Sequence, residues 1–122
     1  MLLAQAAQSQ NGADEYQVAN DAAEQANKCS GEALFRYSRQ RGEAAAEVAK
    51  AAFDVCEGEW EREAELRAAA INHDPASEAV KLRQICRLMP PCLEVRPSDL
   101  LAAARAAFVH EATPQVFEWR DY

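Results

Sequence analysis

The sequence predicts an all-α fold: an antiparallel helical hairpin with two shorter helices packed on it and an aromatic C-terminal tail. Three observations carry that expectation. Two long stretches place small or apolar residues in steps of three and four, the period of one helix face. The first of them, Asp14 to about Gln40, contains no proline and a single glycine. Two cysteines, Cys29 and Cys56, fall at matching levels on either side of a central turn.

In the first stretch the periodic positions are Val18, Ala22, Ala26, Cys29, Ala33 and Tyr37. Gly31 is its weak point, since glycine costs a helix interior about 1 kcal/mol relative to alanine. The pattern pauses at Arg39-Gln40-Arg41-Gly42 and restarts as Ala45, Val48 or Ala49, Ala52, Val55 or Cys56, Trp60 and Glu63. This second helix is expected to reach about Ile71, with Gly58 as its soft spot. Gly42 suits the left-handed conformation that commonly ends a helix, and Arg36, Arg39 and Arg41 favour the negative end of the helix dipole. The hairpin turn is therefore placed at Gly42.

Cys29 lies 13 residues before Gly42 and Cys56 14 after it. At 1.5 Å per residue both arms rise about 20 Å from the turn, so the two sulfurs arrive at one level. Both also sit on the apolar stripe of their own helix. A Cys29–Cys56 disulfide follows, and closing a loop of this size stabilises a fold by about 3.5 kcal/mol in the chain-entropy model.

A third helix is expected to open at Asp74-Pro75, where Asp caps free N–H groups and proline loses no hydrogen bond at the first position. Its apolar face is Ala79, Leu82, Ile85 or Cys86 and Met89, and Pro90-Pro91 stops it. Cys92 follows the stop, close enough to Cys86 for a local second disulfide. The last helix begins near Ser98-Asp99, carries Leu100, Leu101, Ala104, Phe108 and Val109, and is expected to end before Thr113-Pro114. The remaining tail holds Phe117, Trp119 and Tyr122, three of the nine aromatic residues of the chain. These either dock across the hairpin and complete its core or anchor a partner, as exposed aromatics often do.

Composition explains the need for a crosslink. One domain suits 122 residues. The apolar fraction of 49% includes 27 alanines, each burying only a methyl group. In the first half Val18, Leu34, Phe35, Val48, Phe53, Val55 and Trp60 must supply most of the packing. So thin a core usually needs a disulfide or a partner subunit. Alanine stripes also let helices approach closely and suit a homodimer seam.

A net charge of −7 disfavours nucleic acid, whose binding rests on neutralising phosphates with Lys and Arg. No run approaches the roughly 18 apolar residues of a membrane span. Residues 1–13 are expected to be a disordered end or the remnant of a secretory signal, because Met1-Leu2-Leu3-Ala4-Gln5-Ala6-Ala7 resembles the tail of one while lacking its basic start. Residues 14–72 then form the hairpin, 73–112 the two shorter helices and 113–122 the tail.

Motifs for chemistry are sparse. Zinc sites usually preset two ligands with Cys-x-x-Cys, whereas successive cysteines here are 27, 30 and 6 positions apart. His110-Glu111 lacks the second histidine of the zinc-protease helix pattern, and His73 sits beside a helix boundary. Cys86 or Cys92 could meet His110, but no third group converges on them. Glu57, Glu59, Glu61, Glu63 and Glu65 read as a solvated face with Arg62 and Arg67 interspersed, Glu63 being placed to pair with Arg67. No catalytic, metal or cofactor site is expected from this inventory.

Cys29-Ser30-Gly31-Glu32-Ala33-Leu34-Phe35-Arg36-Tyr37-Ser38, followed by Ala44 to Cys56 with its Glu47-Val48-Ala49-Lys50-Ala51-Ala52-Phe53 centre, resembles a recurrent pattern in small exported bacterial proteins of uncharacterised role. The resemblance covers about residues 14–70 and implies a periplasmic or secreted setting. It transfers no catalytic residue. The leading expectation is a non-enzymatic, disulfide-stabilised interaction or structural module with a protein partner. A thiol-redox or metal-handling protein using Cys86 and Cys92 is the first alternative, and a cytosolic helical adaptor the second.

Overall fold

The computed structural model describes residues 2–40, 42–78, 80–81 and 94–120, with side chains described from Asp14 onward. Among the described residues four helices are delimited in chain order: α1 (Leu2–Gln40), α2 (Ala45–Asp54), α3 (Glu57–His73) and α4 (Pro97–Arg120). Among the described residues all regular structure is helical, so the fold is all-α. The helix expected from Asp14 begins at Leu2 and passes through Gly31 without interruption.

α1 and the α2–α3 arm form the expected antiparallel hairpin, reversed through Gly42, Glu43 and Ala44. Gly42 does not adopt the left-handed backbone anticipated for it. The short link between α1 and α2 makes the turn instead, and the Ala44 carbonyl accepts from the N–H groups of Glu47 and Val48 to start α2. Further along, Ser30 meets Trp60, Asn20 meets Arg67 and Tyr16 meets Asp74, which fixes the antiparallel register over the length of α3.

The second arm was expected to be one helix to Ile71, but it breaks at Val55-Cys56, two residues before Gly58. Cys56 leaves helical geometry at φ −108°, ψ 26°, and its carbonyl accepts from Glu59 and Trp60 to begin α3. The break has a packing cause. It turns Cys56 inward, leaves Val55 outside, and lets Phe53 and Trp60 stack with ring centroids 4.7 Å apart across it. Gly58 is not the breaking residue; its part of α3 is ordinary helix.

α4 lies against α1, α2 and α3 and runs parallel to α1. Its start is tied to the end of α3 by Asn72, whose side chain exchanges two hydrogen bonds with the Val95 backbone at 2.9 and 3.1 Å. Its end reaches the hairpin turn, where Arg120 donates to the Glu43 carbonyl. The three arms are therefore an up-down-up bundle.

Two further expectations are corrected. α4 does not stop before Thr113-Pro114 but runs through Pro114 to Arg120, so the tail is helical as far as that residue. Interior proline removes one backbone bond and costs a helix about 3 kcal/mol. That cost is offset by packing beyond it: Ala112 and Val116 are buried in the core and Trp119 packs against it. Nor does Asp74 cap the helix after Pro75. Asp74 Oδ1 accepts from Ala76 N–H within a turn, while Ser77 Oγ accepts from Val80 N–H and Ser77 O from Lys81 N–H, so Ser77 is the cap. The expected course from Leu82 to Met89 lies outside the described residues.

The core has two linked parts. Nearer the turn, Ala33, Leu34, Val48, Ala49, Ala52, Ala112 and Val116 pack with Tyr37, Val109 and Trp119 at the edge. Nearer the middle, Ala26, Phe53, Cys56 and Trp60 pack with Leu101 and Ala104, and Phe108 joins the two parts. Phe53, Trp60 and Phe108 form an aromatic triad with centroids 4.7, 5.9 and 6.1 Å apart. Of the large residues expected to supply the core, Val18, Phe35 and Val55 are instead 45%, 46% and 56% exposed. On α1 the buried face runs Ala19, Ala22, Ala26, Ser30 and Ala33, one position round from Val18, because methyl-sized side chains there allow α3 to sit close.

Candidate functional site

The Cys29–Cys56 pair is a disulfide, with its Cα atoms 6.1 Å apart, as the hairpin register anticipates. It joins the middle of α1 to the inter-helix break. Cys56 is fully buried and Cys29 partly so. Directly beside the bridge, the hydroxyl of buried Ser30 accepts a 2.8 Å hydrogen bond from Trp60 Nε1. That bond satisfies the indole and fixes its ring over Phe53. Nothing in periodicity marks Ser30 as interior, because its burial depends on a partner thirty residues away.

On the outer side of the bridge, the partly exposed Cys29 opens onto a cleft of about 510 Å³ between α1 and α3, lined by Glu24, Gln25, Lys28, Cys29, Glu32 and Glu59. A Glu59 carboxylate oxygen and the sulfurs of Cys29 and Cys56 all lie within 4.8 Å of one another. The sequence places Glu59 in an acidic run and does not separate it from its neighbours. Its proximity to the bridge arises only because Cys56 and Glu59 stand three residues apart on the first turn of α3.

The acidic run is thus not uniform. Glu57, Glu59, Glu61 and Glu65 are exposed, but Glu63 is buried. Arg67 contacts Glu63 through Nε, the i+4 pair expected, and its other arm donates to Asn20 Oδ1 of α1 at 2.9 Å. Glu63 therefore helps hold α3 on α1 instead of belonging to a solvated surface. Across the bundle, Arg105 of α4 binds both carboxylate oxygens of Asp54 at 2.9 Å. These hydrogen bonds hold the Asp54 carboxyl below its ordinary range, against a smaller opposing effect of burial.

At the far end of the hairpin, Tyr16 donates to Asp74 at 2.8 Å and His73 Nδ1 lies 3.0 Å from Glu15. Partial burial, followed by the bond to Asp74 and its negative charge, raises the Tyr16 hydroxyl above the usual phenol range. His73 is 66% exposed at its side chain, which fits a surface pair joining α1 to α3. His110 is exposed on α4.

The aromatic residues of the tail part company. Trp119 packs at the edge of the core and meets Phe35 edge-on, centroids 5.5 Å apart, while Arg39 lies over the Phe35 ring at 5.5 Å. Phe117, on another side of α4, is 60% exposed. Tyr122 and the Cys86–Cys92 pairing lie outside the described residues. Among the described residues no helix is long and apolar enough to cross a membrane. Comparison with protein-family models, curated proteins and solved structures returned no match.

Proposed function

We propose that this chain is a non-enzymatic, disulfide-stabilised helical interaction module of the bacterial periplasm or secretome, contacting a protein partner through the turn end of its bundle. The observation that carries this reading is the Cys29–Cys56 bridge set into a core made largely of alanine. A crosslink that stabilises by about 3.5 kcal/mol is of the order of a small domain's whole stability, and it persists in an oxidising compartment. Phe35 and Phe117, both exposed and close to Trp119 in space or sequence, support the choice of surface. Exposed aromatics beside arginine are the side chains that most often anchor protein contacts.

The test has two arms. Chain secreted to the periplasm is alkylated without reduction and mapped, where a Cys29–Cys56 crosslinked peptide is expected and free thiols at both positions would overturn the compartment. A photoreactive side chain is then placed at Phe117, Phe35 or the solvent-facing Glu61 of the exported protein. Specific crosslinks from the first two sites and not from Glu61 are expected. Equal labelling from all three, or none, would remove the turn end as the contact surface.

A further inference from the structure

We infer that, when its disulfide is reduced, Cys29 and Cys56 together with Glu59 form a binding site for a zinc-like divalent cation, so that the same residues alternate between a covalent staple and a metal clip. Three features of the cleft lead there. The three ligand atoms already lie within 4.8 Å of one another. A tetrahedral zinc ion, with Zn–S near 2.3 Å and Zn–O near 2.0 Å, needs its ligand atoms about 3.5 to 3.8 Å apart. Once the bridge is opened, the two sulfurs have to part to non-bonded distance and the Glu59 carboxylate has to close in, movements of a size that rotation of the three side chains supplies.

The second feature is preorganisation. Cys56 and Glu59 stand in a Cys-x-x-Glu spacing on the first turn of α3, joined by the Glu59 N–H to Cys56 carbonyl bond of 3.1 Å. One short turn thus presets two ligands, as Cys-x-x-Cys does in ordinary zinc sites, with a carboxylate in place of the second thiolate. Cys56 is also the residue that begins α3, where the helix N-terminus favours a thiolate. The third feature is access and charge. Cys29 is partly exposed at the cleft, where Glu24 and Glu32 outnumber the one cation, Lys28, and leave a fourth coordination position open to water.

The chemistry balances as follows. A dithiol reductant delivers two electrons and two protons to the Cys29–Cys56 bond and is itself oxidised to a disulfide. The S–S bond breaks to two thiols. A divalent cation then displaces both thiol protons to solvent and forms two metal–sulfur bonds and one bond to the Glu59 carboxylate. A disulfide-type oxidant reverses the sequence, takes the two electrons and releases the ion. The inference does not depend on the contact surface proposed above, and in an oxidising compartment it operates only where a dithiol reductant opens the bridge.

The test uses the full chain with C86S and C92S, so that no other thiol contributes. The protein is reduced, desalted without oxygen and titrated with Co²⁺ and then Zn²⁺, with helicity followed by circular dichroism. One ion per chain is expected, with a thiolate-to-cobalt charge-transfer band that zinc displaces. The oxidised protein should give no such band. Glu59→Gln, which keeps both thiols, should weaken binding about tenfold or more, since even groups that only support ligands change metal affinity on that scale. Absence of the band in a reduced chain that remains helical would overturn the inference. So would unchanged affinity in E59Q, or a loss of helicity on reduction that metal does not restore.

Discussion

Cys56 has two neighbours that make it more than a crosslink end. It sits at the helix break and within the same apolar cluster as Phe53 and Trp60, so removing it disturbs both loop closure and packing. Cys56→Ser is expected to lower stability by about 3.5 kcal/mol through loop closure alone, which for a chain of 122 residues is a fall of about 14 °C in Tm, read by thermal circular dichroism of oxidised protein. The Ser30–Trp60 bond gives a second residue-level expectation. Trp60→Phe leaves the buried Ser30 hydroxyl without its donor at a cost of about 1 to 3 kcal/mol, in addition to the lost ring area. Adding Ser30→Ala should cost less in the W60F background than in the native one, and a double-mutant cycle measures the difference. Additive losses would show that the hydrogen bond contributes nothing.

Titration acts through two residues in opposite directions. Asp54 has a depressed carboxyl pKa in the fold, so its pair with Arg105 contributes stability above the ordinary carboxylate value of about 3.9, and loses it as pH falls through the folded value. Both side chains are about half exposed, 42% and 53%, so screening limits the contribution to about 1 kcal/mol or less. Asp54→Asn should flatten the acid limb of a urea-unfolding series by that amount. Tyr16 has a raised hydroxyl pKa, so it favours the fold fully below about pH 10 and loses that contribution as pH rises through the folded value. Tyr16→Phe should remove that alkaline loss from the same series.

The elements differ in how plainly the sequence declares them. The hairpin is legible because two periodic arms flank Gly42 and carry cysteines at equal height, so position and facing are both local arithmetic. The break at Val55-Cys56 is not, since Gly58 draws attention two residues too far while the actual cause is the inward turn of Cys56 and the stacking across it. The full length of α4 is hidden for a like reason: Thr113-Pro114 is a strong local stop, overridden by Val116 and Trp119 packing on α1 and α2. Polar interior groups such as Ser30 and Glu63, and the placement of Glu59 beside the bridge, depend on partners distant in sequence. If α4 persists against its proline, Pro114→Ala should stabilise the fold by about 1 to 3 kcal/mol by restoring a backbone donor. A denaturation midpoint that moves down instead would show that the proline fits a bend the packing requires.

At the scale of the molecule, the bundle is held together by a few specific ties laid over a core of small side chains. The bridge and the aromatic triad tie α1, α3 and α4 at mid-height and the Asn72–Val95 clamp ties α3 to α4 at the far end, while the exposed aromatics gather near the turn. Deleting residues 115–120 tests how far these ties depend on one another. Loss of Val116, Trp119 and the Arg120 tie should expose Leu34 and Val48 and lower the unfolding midpoint without changing the Cys29–Cys56 crosslink map. A truncated chain as stable as the whole would mean that the last turns of α4 add only surface.

The bridge also sets how far the chain can be drawn out. Because it ties residues separated by 27 positions, the segment between them is withheld from any extension applied at the two ends. At roughly 3.5 Å per residue, about 90 Å of contour length is hidden in the oxidised form. Pulled in a single-molecule experiment, the reduced chain should lengthen by that additional step, and the oxidised chain should stop short of it with the turn half of the hairpin still looped.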